Sequence, residues 1–440
     1  MVHDLKLSFF GAAEEVGRSC IFLESDHAKV LLDAGIKLGK HIEYPNIPPS
    51  IVKDLDAVIL SHTHLDHSGY LPHLFAMGYT GKVYATKPTI ELTNVMLSDY
   101  ISISAPKDVT NKTMDLLHKS YEIAEFREPF KIKDLDVEFF QSGHILGSSM
   151  VRISDGRKAL FYTGDLQLAK TRLLGGADLK NVSAETLLME CTYGSKKDVF
   201  PPESVTVKKM LSSINETIKT GGKVMIPSFA VGNAEQVLLM LDDYMNSGVI
   251  QKVPIYVDGM INKAMRIHRH NVIYARKELQ MRILMSDYDP FRSPNFMPIE
   301  NKGARGDVVK KEEGCIIVTT SGMIVGGPIL FYLSKLAGNP RNKLLQIGYQ
   351  AAGTTGRELQ DGAREITIDR RKVKVGLTIE NYHLSAHGDR PQLDLLLKRV
   401  HGLKRVFLIH GEAEKLAEFK GDISNRFDVV IPRQGERYDV

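Results

Sequence analysis

Ser61-His62-Thr63-His64-Leu65-Asp66-His67 places three imidazoles and a carboxylate within six residues, the donor types that hold transition metals. A lone histidine is usually a hydrogen-bonded core or surface group, but four donors at this density are a ligand set. His62 and His64, two apart in an extended turn, point the same way. Asp66 and His67, entering a helix expected to begin near Ser68, point to a second position. Four ligands so spaced suit two adjacent ions better than one. Without thiolates the set favours zinc, with manganese or iron as alternatives. The cluster follows Leu55-Asp56-Ala57-Val58-Ile59-Leu60, a short apolar run of buried-strand type. Its donors therefore sit at a strand's carboxyl end, where open α/β sheets place ligands.

The segment resembles the HxHxDH signature of the metallo-β-lactamase fold, whose members hydrolyse esters, thioesters, lactams and phosphodiesters. Other strand-like runs also end in donors. Val30-Leu31-Leu32 leads to Asp33; an aspartate there often forms a turn, but its match to the family's first conserved position implies a carboxylate that orients a ligand from behind. Val137 to Gln141 leads to Ser142-Gly143-His144, and Leu160-Phe161-Tyr162 to Thr163-Gly164-Asp165. His144 then completes one ion with His62 and His64, while Asp165 bridges to the ion held by Asp66 and His67. A bridging carboxylate keeps two ions ~3.5–4 Å apart, close enough to act on one water.

Composition sets the frame for these motifs. A chain of 440 residues exceeds what one core organises, so two domains are expected. Hydrophobic content of 43% and charged content of 25% are ordinary for a soluble globular protein. No apolar run approaches the ~20 residues of a membrane span, and Met1-Val2-His3-Asp4 lacks the order of a secretory signal; a cytoplasmic protein is expected. Cys20, Cys191 and Cys315 are odd in number and widely spaced, which fits a reducing compartment and three buried thiols. A formal charge of +4 is too mild to announce nucleic acid, so any polyanion must be met by a local patch. Arg266-Ile267-His268-Arg269-His270 and Arg370-Arg371-Lys372-Val373-Lys374 are candidates, with an ordinary solvated helix or hairpin edge as the competing explanation.

Helices are expected over 89–104 and 112–125. After the strand that ends in Glu190-Cys191-Thr192-Tyr193-Gly194, alternating strand and helix patterns run on, with strands at 224–227, 255–257 and 316–320 and a helix over 234–244. The expected organisation is a first domain over 1–194, an inserted domain over 195–362 and a return to the first domain over 363–440. Val375 to Ile379 reads as the returning strand, leading to Ser385-Ala386-His387, and Val406 to Ile409 ends in His410-Gly411-Glu412.

At these residues the likeness becomes narrower. Glu190, His387 in Ser-Ala-His and His410 in Ile-His-Gly-Glu resemble the three additional motifs of the β-CASP nucleases. That group includes the endonuclease subunit of the cleavage and polyadenylation specificity factor, and RNase J. Ile226 to Gly232, Tyr256 to Ile261, Thr320-Ser321-Gly322-Met323 with Gly326-Gly327-Pro328, and Gly348 to Thr354 are similar to the archaeal cleavage-factor-like members. The resemblance spans nearly the whole chain. Because the hydrolase sheet begins at the first residues, no KH-type RNA-binding region is expected ahead of it. One departure is Asn233, where these relatives commonly carry an arginine, so that arginine's phosphate contact does not carry over.

The resemblance implies an α/β fold, a metallo-β-lactamase αββα sandwich with an inserted α/β β-CASP domain. It also implies a zinc-dependent ribonuclease acting on single-stranded RNA, as an endonuclease, a 5′-to-3′ exonuclease or both, in RNA processing or decay. Two Zn2+ ions, with Mn2+ as the alternative, fall to His62, His64 and His144 on one side and Asp66, His67 and His410 on the other, bridged by Asp165. Asp66, Glu190 and His387 form the catalytic set. His387 is the general acid for the departing 3′ oxygen, its charge maintained by Glu190 because a carboxylate partner raises an imidazole's pKa. His383, four residues earlier, is read as structural or a substrate contact. Backbone groups at Ser321, Gly322 and Met323 could meet RNA phosphates; tight packing of that crossover explains the glycines equally well. The cleft between the domains is the expected channel for the strand, and a homodimer is compatible with the family. RNA-processing members carry histidine at the position of His410, where DNA-processing members carry an apolar residue. The competing readings are an ester or thioester hydrolase, which leaves the insertion and Glu190, His387 and His410 without a role, a DNA nuclease of the same fold, and a hydrolytically dead RNA-binding scaffold, which would have lost ligands.

Overall fold

Short apolar runs, a few alternating and most buried along nearly their whole length, pair into two seven-stranded sheets in the first compact unit, residues 1–170, 174–199 and 387–440. The computed structural model describes residues 5–39, 41–286 and 288–440. One sheet has the order Arg437–Asp439, Lys6–Phe9, Ile21–Glu24, Lys29–Leu32, Ala57–Ile59, Lys82–Ala85 and Tyr121–Ile123. The other runs Asp428–Val430, Arg405–Ile409, Thr186–Glu190, Ala159–Tyr162, Ser149–Ser154, Leu135–Gln141 and Phe130–Ile132. Their inner faces share one core: Leu7, Ile21, Val30 and Ile59 pack with Val137, Val151, Leu160, Leu188 and Phe407. The outer faces are covered by helices. Leu74, Leu97 and Leu117 lie over Leu31, Val58 and Val83 of the first sheet, and Leu393, Leu396, Leu416 and Phe419 over Phe161, Leu187 and Leu408 of the second. The result is the expected αββα sandwich.

Parallel pairing is what builds a rim. Lys29–Leu32 aligns Leu32 with Ile59, Ala159–Tyr162 aligns Tyr162 with Leu188, and Thr186–Glu190 aligns Glu190 with Ile409. Strands that run together end together, so Asp33, Ser61, Thr163 and His410 emerge at neighbouring positions.

The second unit, residues 171–173 and 200–386, carries a parallel six-stranded sheet in the order Phe296–Pro298, Ile255–Asp258, Cys315–Thr319, Lys223–Pro227, Lys343–Gln346 and Thr378–Asn381. On one face Met225, Ile317 and Leu344 meet Ile329, Leu333 and Leu336 of the helix Pro328–Leu336. A separate hairpin, Glu365–Ile368 with Arg371–Lys374, buries Ile366 and Ile368 in the same core. Among the described residues no helix is long and apolar enough to cross a membrane.

Three sequence expectations differ from what is found. The strand read as returning to the hydrolase sheets is Thr378–Asn381, and it pairs parallel with Lys343–Gln346 of the inserted sheet. Residues 363–386 therefore group with the second unit, and the chain rejoins the first at His387 rather than at 363. An edge strand whose side chains are at best half-buried carries too little apolar pattern to announce its sheet. The helix expected to reach Glu125 ends at Ser120. Tyr121–Ile123, aromatic and β-branched, instead pairs with Lys82–Ala85 as an edge strand. The helix expected near Ser68 begins earlier, as a single turn over Leu65–Ser68, followed by Leu71–Ala76.

Candidate active site

That early turn matters because it contains Asp66 and His67. Its backbone is clamped: Ser19 donates its N–H to Asp66 O at 2.7 Å, and Ala34 donates to His67 O at 2.7 Å. Gly35 permits the approach, since a Cβ there would lie 1.7 Å from Asp66 O. At the strand ends, Asp33 (φ +59°) and His410 (φ +49°) adopt left-handed backbone conformations, which are uncommon outside glycine, asparagine and aspartate. Each is the first residue past its strand, and the turn takes the chain out of the strand direction at that point.

All seven expected ligands converge. The donor atoms of His62, His64, His144 and Asp165 lie within 4.8 Å of one another, as do those of Asp66, His67 and His410. Asp165 is placed between the two sets with one oxygen toward each. Its Oδ2 is 3.4 Å from His62 Nε2 and 3.7 Å from His144 Nε2. Its Oδ1 is 3.3 Å from His67 Nε2 and 3.6 Å from His410 Nδ1. Asp66 Oδ2 closes the second set at 3.3 Å from His410 Nε2.

Whether these residues fit metal ions can be tested on their unsatisfied atoms. His62 Nε2, His67 Nε2 and Asp165 Oδ1 are buried and have no hydrogen-bond partner among the described residues, a costly state for polar groups unless something else satisfies them. His144 Nε2 and His64 Nδ1 are 3.1 Å apart, near the ~3.3 Å expected of two imidazoles at ~2.05 Å on one tetrahedral ion. Asp33, Asp165 and Glu190 are all nearly fully buried, a concentration of negative charge that cations would compensate. Burial, with His67 beside it, holds the His62 pKa well below the ordinary imidazole range, so the ring is neutral as a ligand must be. The residues fit divalent metal.

Asp33 does more than its place in the sequence suggested. It accepts hydrogen bonds from Ser61 N (2.6 Å) and Ser61 Oγ (2.7 Å), from Tyr162 Oη (2.6 Å) and from His67 Nδ1 (2.7 Å). Ser61 Oγ is in turn 3.0 Å from His62 Nδ1. One carboxylate thus orients an imidazole from each ligand set, directing both Nε2 atoms toward Asp165. Replacing it by asparagine keeps the shape but removes the capacity to serve four donors. Asp33→Asn is expected to weaken metal affinity ~10–100-fold, measured by competition with a chromogenic chelator; an unchanged affinity would leave Asp33 with a role in folding only.

His387 and Glu190 form a second element beside the ligands. His387 Nδ1 donates to Glu190 Oε1 at 2.9 Å, and His387 Nε2 faces Asp165 Oδ2 at 3.9 Å. Glu190 is fixed by Leu166 N (3.0 Å to Oε1) and Thr192 N (3.3 Å to Oε2). Burial disfavours the charged imidazole, but Glu190 and Asp165 outweigh it and push the His387 pKa up to about 9.

The remaining expected residues lie in the second unit. Ser321, Gly322 and Met323 follow the strand Cys315–Thr319. Gly322 O accepts from Gln350 Nε2 at 3.1 Å, Met323 O accepts from Gly356 N at 3.0 Å, and Ser321 Oγ accepts from Val325 N at 3.1 Å. His383 stacks on Phe200 at 4.8 Å. Sequence reasoning missed Ser61, Tyr162 and Thr192, whose Oγ1 is 3.3 Å from His410 Nδ1. Their signal was adjacency, since each lies within three residues of a ligand or of Glu190.

Three family models cover most of the chain: a metallo-beta-lactamase superfamily domain over residues 22–192, a Beta-Casp domain over 234–359, and a Zn-dependent metallo-hydrolase RNA specificity domain over 372–432. Among curated proteins, the chain is 37% identical to the transcription termination factor FttA of Lokiarchaeum sp. (strain GC14_75), covering 94% of this chain and 67% of that protein. It is 35% identical to the FttA of Methanocaldococcus jannaschii, covering 96% and 69%, and 35% identical to that of Thermococcus kodakarensis, covering 97% and 69%. A solved structure, a protein of unknown function from Enterococcus faecalis V583, has the same fold at a TM-score of 0.60 and 15% identity, covering 99% of this chain and 100% of that one. With matching models on both sides of the insertion and inside it, and FttA relatives above one-third identity along almost its whole length, the chain belongs to the β-CASP family of metallo-β-lactamase-fold, metal-dependent hydrolases.

Proposed function

We propose that this protein is a ribonuclease that hydrolyses phosphodiester bonds of single-stranded RNA with two zinc ions, in RNA processing or decay. The observation that carries the reading is a complete ligand set beside a carboxylate-paired imidazole: Asp165 faces both metal positions, and His387, paired with Glu190, presents Nε2 3.9 Å from Asp165. Ions held by His62, His64, His144, Asp66, His67, His410 and Asp165 would lower the pKa of an attacking water and neutralise charge on the phosphoryl oxygens. The chain's own residues supply the rest. Glu190, fixed by two backbone N–H groups, holds His387 by Nδ1 and keeps its charge. As the bond between phosphorus and the 3′ oxygen breaks, the Nε2 proton passes to that oxygen, which departs as a hydroxyl rather than an alkoxide. Asp33 keeps His62 and His67 in the orientation that directs their Nε2 atoms toward Asp165.

RNA as the substrate is supported by the match to an RNA specificity domain, by the FttA relatives' name, which speaks of transcription termination, and by His410, the residue type that RNA-processing members carry there. A scaffold role without hydrolysis is disfavoured because no ligand is missing. The test is cleavage of RNA and DNA of one single-stranded sequence, labelled at either end and carrying a 5′ hydroxyl, monophosphate or triphosphate. RNA is expected to be cut and DNA to be cut far more slowly. A preference for DNA would overturn the substrate assignment while leaving the metal site intact.

A further inference from the structure

The segment after Asp165 is joined to His387 by more than the shared neighbour Glu190. Gly388 N donates to Leu166 O at 2.7 Å, and Gln392 Oε1 accepts from Leu168 N and Ala169 N at 2.9 and 3.1 Å. Gln167 makes the contact closest to the imidazole: its Nε2 donates to the carbonyl of His387 at 3.0 Å, across 220 residues of sequence. The Gln167 side chain is itself held. It is 5% exposed, its Oε1 accepts from Ala169 N at 3.0 Å, and its backbone N donates to Ser142 O at 2.9 Å. Ser142 opens the turn that carries His144, and Gly143 in that turn is pressed against Gln167, where a Cβ would lie 2.2 Å from Gln167 O.

We infer that Gln167 is a positioning residue for His387, a reading that rests on the role proposed above for that histidine. His387 follows a loop rather than a strand, so no ladder fixes its peptide. Its orientation comes from two bonds to one peptide group, Gly388 N to Leu166 O and Gln167 Nε2 to His387 O. Gln167 is rooted two residues from Asp165 and bonded to the turn of His144, so it ties the peptide of His387 to the same frame that holds the ligands. A glutamine needed only to close its own turn would use Oε1 on Ala169 and leave Nε2 to water. Here one of the two Nε2 hydrogens is given to the His387 carbonyl. The imidazole is thereby held with Nδ1 on Glu190 and Nε2 toward the reacting bond, and a small displacement of a group that must transfer a proton costs rate steeply.

The experiment uses the full-length, metal-loaded protein and two variants, Gln167→Leu, which removes both polar contacts, and the isosteric Gln167→Glu, which keeps an acceptor for Ala169 but opposes a carboxylate to the His387 carbonyl. Each is assayed on single-stranded RNA and on the same RNA with sulfur replacing one 3′ bridging oxygen, a leaving group that needs no proton. Both variants are expected to slow cleavage of the oxygen substrate ~10–100-fold, to leave the sulfur substrate little changed, and to have no further effect when combined with His387→Ala. In parallel, the downfield Nδ1–H resonance of His387 in 15N-histidine-labelled protein is expected in the wild type and broadened or shifted in both variants. Equal slowing on both substrates, full additivity with His387→Ala, loss of metal, or an unmoved resonance in both variants would each overturn the assignment. If the wild type cuts neither substrate, the ribonuclease reading fails; the resonance still reports whether Gln167 holds His387.

Discussion

Asp66→Ala is expected to abolish RNA cleavage, lowering the rate by more than ~10³-fold, well past the ~10–100-fold worth of a group that only supports a ligand. Asp66 Oδ2 lies 3.3 Å from His410 Nε2 and completes the second set of donors. Without it that position keeps His67, His410 and a share of Asp165, too few to hold an ion well. The fold is expected to survive, because the backbone at this turn is clamped through Asp66 O and His67 O rather than through the side chain. In the metal-free protein, although burial opposes it, His67 and His410 hold the Asp66 carboxylate well below its ordinary range, so its removal also costs some stability there. The metal-free variant should therefore melt somewhat below wild type, while the rise in Tm on adding zinc should shrink. For the wild type that rise reflects binding to the folded state alone, ~2.7 kcal/mol at a hundredfold excess over Kd. A variant that still turns over RNA after chelation, or whose Tm rises on adding zinc as much as that of the wild type, would remove the proposed role of Asp66 in holding metal.

The second large effect separates metal binding from proton transfer. His387→Ala is expected to retain both ions by elemental analysis and yet cleave RNA ~10²–10⁴-fold more slowly, the usual worth of a general acid. The geometry predicts this split. His387 Nε2 stands 3.9 Å from Asp165 but belongs to neither set of converging donors, and Glu190 holds its other nitrogen. With sulfur as the leaving atom the variant should recover most of the wild-type rate, since a thiolate departs unprotonated. Failure to recover, or loss of an ion, would make His387 a structural or metal-binding residue instead.

The elements that proved hardest to read are those whose state depends on partners far along the chain. The run at 375–379 has a strand's composition, but nothing in it says which sheet it joins. Hydrogen bonds to Lys343–Gln346, formed in three dimensions, decide that. Tyr121–Ile123 likewise became a strand because the edge beside Lys82–Ala85 was open to it.

Much of the chemistry was local and so determined by sequence alone. The density of donors in 62–67 marks a metal site because no core or surface requirement produces it, and the donors at 33, 144, 165 and 410 each follow a short, largely apolar run of strand type. What only the tertiary structure decided is how those ends are shared out: that Asp165 turns one oxygen to each ligand set, that Asp33 orients an imidazole of both, and that Gln167 reaches the carbonyl of His387. Such roles are set by the parallel register of strands brought together from distant parts of the chain. A register slip of one residue would turn every side chain to the opposite face, and register is a property of the packed sheets that no single segment carries.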